Sequence, residues 1–132
     1  MAEQTLSLAS AESLSDLLQS VDAPFSTTLL AFIDSRGLTD AEVYRRANIS
    51  RQHFSKIRSN PAYQPTKKTV LALAVALELS LDETRDLLQR AGFALSHASK
   101  ADMIVEWFIA RGTYDIFEIN EALYAFDQQI LG

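Results

Sequence analysis

The sequence predicts an all-α chain, and three observations carry that expectation. Apolar residues recur three and four positions apart through most of its 132 residues, the spacing that gathers them on one face of a helix. Serine or threonine stands just ahead of run after run, often with an acidic residue three places on, which is the pattern of helix N-termini. No stretch alternates apolar and polar residues as a half-buried strand would, and neither a fixed-period repeat nor a low-complexity tract interrupts the pattern. The architecture expected is a five-helix domain with two extra C-terminal helices and a short N-terminal helix.

Residues 1 to about 10 are small and polar, without periodicity, and are expected to fray. From Ser13, the residues Leu14, Leu17, Leu18 and Val21 make the stripe of a short amphipathic helix, which is expected to dock on this domain or on a second copy. This tail occupies residues 1–24, and the main domain occupies residues 25–132. After Pro24, the residues Phe25, Leu29, Phe32 and Ile33 share a face, and Gly37 stops that helix by taking the left-handed conformation. Thr39-Asp-Ala-Glu42 is a capping box, opening a helix that runs to about Ala47. Asn48 tolerates positive φ and Ser50 caps again, so the next helix, with Phe54 and Ile57 buried, follows a tight turn.

Asn60 to Pro65 is a loop with two prolines, after which Thr66 caps a helix through Val70, Leu73, Ala74 and Leu77. Ser80-Leu-Asp-Glu83 is a second capping box, and Gly92 ends the helix it starts. Ser99-Lys-Ala-Asp102 opens a further helix through Ile104, Trp107 and Phe108 to Gly112. Asp115-Ile-Phe-Glu118 opens the last one, ending near Phe126.

A hydrophobic content of 48% with 22% charged residues is that of a globular chain with one core. At this length roughly two thirds of the unfolded surface can be buried, so neither metal nor disulfide is needed. The chain has no cysteine, which excludes a disulfide framework and thiol chemistry. His53 and His97 are too far apart in sequence to suggest a zinc site, and no cofactor is expected. The N-terminus lacks the basic start of a secretory signal, and the longest apolar run, Val70 to Leu77, is short of the roughly 18 residues of a membrane span. A cytoplasmic chain without a membrane partner is the expectation.

The net charge of -5 hides an asymmetry. Between Arg36 and Lys68 lie eight basic residues, Arg36, Arg45, Arg46, Arg51, Lys56, Arg58, Lys67 and Lys68, against Asp40 and Glu42, for +6. The remainder has four basic and fifteen acidic residues, for -11. Such a split points to an anionic partner for the basic part.

The basic part also has the sequence of two helices joined by a short turn. For such a pair to read a duplex, the turn must tolerate an unusual dihedral and the inner faces must be apolar. The exposed start of the second helix must also carry hydrogen-bond donors. Asn48 serves the turn, Val43, Ile49, Phe54 and Ile57 the inner face, and Arg51, Gln52, Ser55 and Lys56 point outward.

These residues resemble the Cro and repressor class of helix-turn-helix proteins, from Leu38 to Leu81, with Leu79-Ser80-Leu81-Asp82-Glu83 similar to the class's link into its fifth helix. From Phe25 to Gly132 the chain is also similar to a helical domain found C-terminal to bacterial macro domains, on RANISRQHFSKIRSN, ALELSLDETRDLLQRAG and YDIFEINEAL. The 132 residues hold no macro domain, so no ADP-ribose chemistry is carried over. The first resemblance implies a transcriptional regulator that binds double-stranded DNA. It places Arg51, Gln52, Ser55 and Lys56 at base edges, where arginine suits guanine and glutamine suits adenine. Arg45, Arg46, Ser50, Arg58, Lys67 and Lys68 are then the expected phosphate contacts. Lys67 and Lys68 stand in the first turn of a helix, where the macrodipole disfavours cations, so an anion is expected beside them.

Two positions depart from the class. Asp40 stands where it often has a phosphate-binding glutamine, and Tyr44 where it usually has alanine at the close crossing of the two helices. A tyrosine there alters the crossing or swings outward. Proteins of this class usually work as dimers, with the acidic C-terminal helices or the helix near Leu14 to Val21 as candidates for forming one.

Trp107, Phe108, Tyr114, Phe117, Tyr124 and Phe126 are read as core, because helical spacing explains them and their neighbours are acidic. Any that are exposed mark a contact with a partner protein. The alternative function is therefore a protein-interaction module on a repressor-like fold, without DNA binding. His53 and His97 are read as surface or capping residues. No Gly-rich phosphate loop, GxSxG elbow, HExxH or cysteine nucleophile is present, so no catalytic residue is assigned and no enzyme is expected.

Overall fold

The computed structural model describes residues 13–132, and the expectation for residues 1 to about 10 lies outside them. Among the described residues there are eight helices and no strand. They are α1 (Leu14–Leu18), α2 (Phe25–Arg36), α3 (Asp40–Arg46), α4 (Arg51–Ser59), α5 (Lys67–Ala76), α6 (Leu81–Arg90), α7 (Lys100–Ala110) and α8 (Ile116–Ala125).

Local chemistry sets the boundaries. Thr39 and Ser80 each accept from the backbone N–H of the glutamate three residues on, and Glu42 and Glu83 accept in return from the N–H of Thr39 and Ser80. Ser50, Thr66 and Ser99 cap α4, α5 and α7 by accepting from His53, Thr69 and Asp102. The Asp102 carboxylate does not turn back to Ser99, however. It is buried and faces α5.

The centre of the fold is α5. Thr69 to Ala76 are all buried, because the helix is apolar on every side and can only be stable when surrounded. It packs against α3, α6 and α8, while α2 lies on α4 and α6, and α7 joins α6 to α8. Two left-handed residues close the helices that frame the turn: Gly37 at φ 65° ends α2 and Asn48 at φ 56° lies between α3 and α4. Glu78, at φ 53°, plays the same part after α5 without any signal in the sequence.

One expectation fails at the end of the chain and another is narrowed at its start. None of the residues of α1 is buried, so of the two places expected for it to dock, this domain and a second copy, the domain does not enclose it. Of the six aromatics read as core, only Phe108 is buried and Tyr114 half-buried, while Trp107, Phe117, Tyr124 and Phe126 are exposed. The reason is that Ile116, Ile119, Asn120 and Leu123 already fill the inner face of α8, so Phe117 and Tyr124, seven positions apart, fall together on its outer flank.

After α8 the chain returns toward the helix pair. Asn120, the polar member of the inner face of α8, donates to the Leu131 carbonyl at 3.1 Å and accepts from the Leu131 N–H at 2.8 Å. Gly132 then lies against the turn itself, where an added Cβ would come within 2.5 Å of the Asn48 carbonyl oxygen. The tail therefore packs directly on the turn that sets the angle between α3 and α4.

Candidate nucleic-acid interface

α4 presents one face to the core and the other to solvent. Phe54 and Ile57 are buried, and Arg51, Gln52, Ser55 and Lys56 are all exposed. This division follows from the helical repeat, since positions three apart share a side and their neighbours point away. The Ser50 hydroxyl caps the helix through its oxygen, which leaves its proton to donate outward. The His53 ring is half-buried, 2.8 Å from the Tyr63 hydroxyl, and ties α4 to the loop leading into α5. This is a larger role than the surface position expected for it. His97 is exposed, and its Nε2 lies 3.1 Å from Glu106.

A groove runs between α3 and α4, lined by Asp40, Ala41, Tyr44, Arg51, Phe54, Ser55 and Arg58. Tyr44 stays at the crossing, half-buried, with its ring centroid 6.1 Å from that of Phe54. Its ring lines this groove together with that of Phe54. Asp40 does not present a free carboxylate at the head of α3, because Arg58 from α4 donates to it at 2.7 Å.

Ion pairing sorts the basic residues into two sets. Arg46 lies 3.8 Å from Glu42 and 4.0 Å from Glu78, Arg58 pairs with Asp40, and Lys67 pairs with Asp102. Arg45, Arg51, Lys56 and Lys68 have no acidic partner among the described residues. Unpaired cations on one stretch of chain repel one another and keep a positive potential that a polyanion would relieve.

The structure also separates residues that the sequence grouped. Lys67 and Lys68 both begin α5, yet the anion beside Lys67 is the buried carboxylate of Asp102, supplied from α7, while Lys68 is exposed. The offset that the macrodipole demands of Lys67 is thus met inside the fold. Arg46 lies with Arg36, Leu77 and Glu78 at the C-terminal end of α5, about 15 Å along that helix from Lys68. Near it, the Thr39 backbone N–H and then the Thr39 hydroxyl hold the Glu42 carboxyl below its usual value, with Arg46 adding to the effect.

Sequence reasoning did not anticipate the ion pairs of Lys67 and Arg58, nor the tail against Asn48. Only the last had a visible signal, the single asparagine on the apolar face of α8.

No helix among the described residues is long and apolar enough to cross a membrane. No curated protein and no solved structure matches the chain. Residues 28–92, from the first turn of α2 to the end of α6, match the family described as Cro/C1-type HTH DNA-binding domain. With two capped helices around a left-handed Asn48, an exposed polar face on the second, and three more helices completing the core, residues 28–92 are a helix-turn-helix domain of the Cro/C1 type.

Proposed function

We propose that this chain is a transcriptional regulator that binds double-stranded DNA with the N-terminal part of α4 in the major groove. Arg51, Gln52, Ser55 and Lys56 meet base edges, each good bidentate pair contributing about 1–3 kcal/mol of discrimination. Lys68 and the N-terminal amides of α5 hold one phosphate, and Ser50 and Arg45 hold others. Arg46, Arg58 and Lys67, being paired, add to the field rather than making the principal contacts. The observation that carries this reading is the exposure of Arg51, Lys56 and Lys68 without an acidic partner among the described residues, on a domain whose family is described as DNA-binding. Binding rather than catalysis is then the role, exercised in the cytoplasm.

The test is affinity for a random-sequence duplex, and for sequences selected from it, across a salt series. Binding should weaken along a slope of about -0.9 per phosphate contact. Lys68→Glu should weaken binding to all sequences alike, whereas Arg51→Ala should bring selected and random sequences closer together. Absence of duplex binding at low salt would exclude this function.

A second reading, a protein-interaction module on the same fold, is favoured by the exposure of Trp107, Phe117, Tyr124 and Phe126. It differs in leaving the affinity for a partner unchanged by Lys68→Glu.

A further inference from the structure

Away from the basic residues, the molecule carries two apolar surfaces that nothing in the described chain covers. Between α7 and α8 lies an open groove of about 500 Å³ lined by Met103, Ile104, Trp107, Phe108, Ala122 and Phe126. Trp107 is 51% and Phe126 64% exposed. On α1 and just after it, Leu14, Leu18 and Val21 are 71%, 59% and 76% exposed. They recur at four and three positions, so they fall on one side of the segment. Arg90 on α6 donates to the Ala23 carbonyl at 2.8 Å and so fixes the point where this segment leaves the domain.

We propose that two copies of this chain form a reciprocal dimer, in which α1 of each copy lies in the α7/α8 groove of the other. Area favours a second copy and a twofold exchange. Aromatic side chains offer about 150–250 Å² each, and with Trp107 and Phe126 half to two thirds exposed and three smaller aliphatic side chains to set against them, one stripe and one groove come to roughly 700 Å² at most. One such contact falls below the 1,200 Å² or so of a standard stable interface, whereas two related by a twofold axis reach about 1,400 Å².

Charge agrees. Asp16 and Asp22 have no basic partner among the described residues, and Lys100 and Arg111 have no acidic one. Lys100 and Arg111 share the helical row of Ile104 and Trp107 on α7, and the Arg111 guanidinium stacks 3.7 Å over the Trp107 ring. With the stripe seated, Asp16 falls on the outer side of α1, so Asp22 is the carboxylate that the segment would bring toward those two cations.

The experiment is the solution mass of the full chain by analytical ultracentrifugation, with the emission of Trp107, the only tryptophan, read over the same concentrations. A two-copy mass and a blue shift that grows with concentration are expected. The double variant Leu14→Asp, Leu18→Asp should raise the dissociation constant at least about thirtyfold. It should also keep native circular dichroism, since no residue of α1 is buried. Trp107→Ala, and independently Phe126→Ser, should do the same from the groove side. A single-copy mass for the unaltered chain would overturn the proposal. So would a two-copy mass that survives the α1 substitutions, which would mean groove against groove, or one that survives both groove substitutions. A blue emission independent of concentration in a single-copy protein would mean that α1 closes its own groove, and would overturn it equally. None of these residues belongs to α3, α4 or α5, so the outcome leaves the DNA-binding proposal standing or falling on its own test.

Discussion

The ammonium of Lys67, in the first turn of α5, is held by the carboxylate of Asp102, buried on α7. One partner belongs to the Cro/C1-type domain and the other to the helices added after it, so this pair pins the addition to the domain. Asp102 also accepts from the Ser96 N–H at 2.9 Å. A cation at a helix N-terminus is disfavoured by the macrodipole, and a buried carboxylate is costly alone; together each offsets the other.

Removing either partner should therefore destabilise the chain. Breaking a fully buried pair costs about 3–5 kcal/mol, and because the Lys67 side chain remains 31% exposed, Asp102→Asn and Lys67→Met should each cost about 2 kcal/mol after allowing for solvent screening. The double variant should cost less than the two singles together, by about 1 kcal/mol or more in a urea-unfolding cycle. Simple additivity would show that the pair contributes nothing.

The Asp40–Arg58 pair makes a prediction about salt rather than stability. With Asp40→Asn, Arg58 is released at the mouth of the α3/α4 groove. Affinity for generic duplex should rise at low salt, and the salt slope should steepen by about one contact. Arg58→Gln should leave Asp40 as a free carboxylate there and weaken binding. Fluorescence anisotropy at three or four salt concentrations distinguishes these outcomes.

Stability should fall on acidification below about pH 4.5, the ordinary value for Glu83 and Glu42. The Ser80 backbone N–H holds the Glu83 carboxyl below that value, against partial burial and with help from Arg36. For both glutamates the folded value is depressed, so the stabilisation is full above the unfolded value and is lost as pH falls through the folded one. Glu83→Gln, which can still accept from Ser80 but does not titrate, should show a shallower fall in melting temperature between pH 5 and pH 3.

Asn120→Ala should release the tail from α8. It would leave the N–H and C=O of Leu131 buried without their partner, at a cost of about 2 kcal/mol. Because Gly132 rests on the Asn48 turn, hydrogen exchange should quicken at Asn48 and Ile49 as well as at the tail. Exchange confined to the tail would show that it does not brace the turn.

Where a helix starts and stops depends on side chains within four residues of one another, and that is why Thr39 with Glu42, Ser80 with Glu83, Gly37 and Asn48 were legible from sequence. The face of α4 was legible for the same reason, since Phe54 and Ile57 fix the outward side of Arg51, Gln52, Ser55 and Lys56. Glu78 was not, because a glutamate gives no local sign of the left-handed region.

Which cation is free and which is spoken for was decided only by the tertiary structure. Lys67 and Lys68 are neighbours with the same local chemistry, but Asp102 is 35 positions away from the first of them and reaches it only because the packing of α7 on α6 and α8 carries its first turn to the start of α5. The outer aromatics follow the same rule. Helical spacing showed that Phe117 and Tyr124 share a face, but whether that face is buried depended on which side of α8 the rest of the core claimed. The order of residues therefore determined the helices and their sides, while the pairing of charges and the covering of faces required contacts between segments that no local pattern encodes.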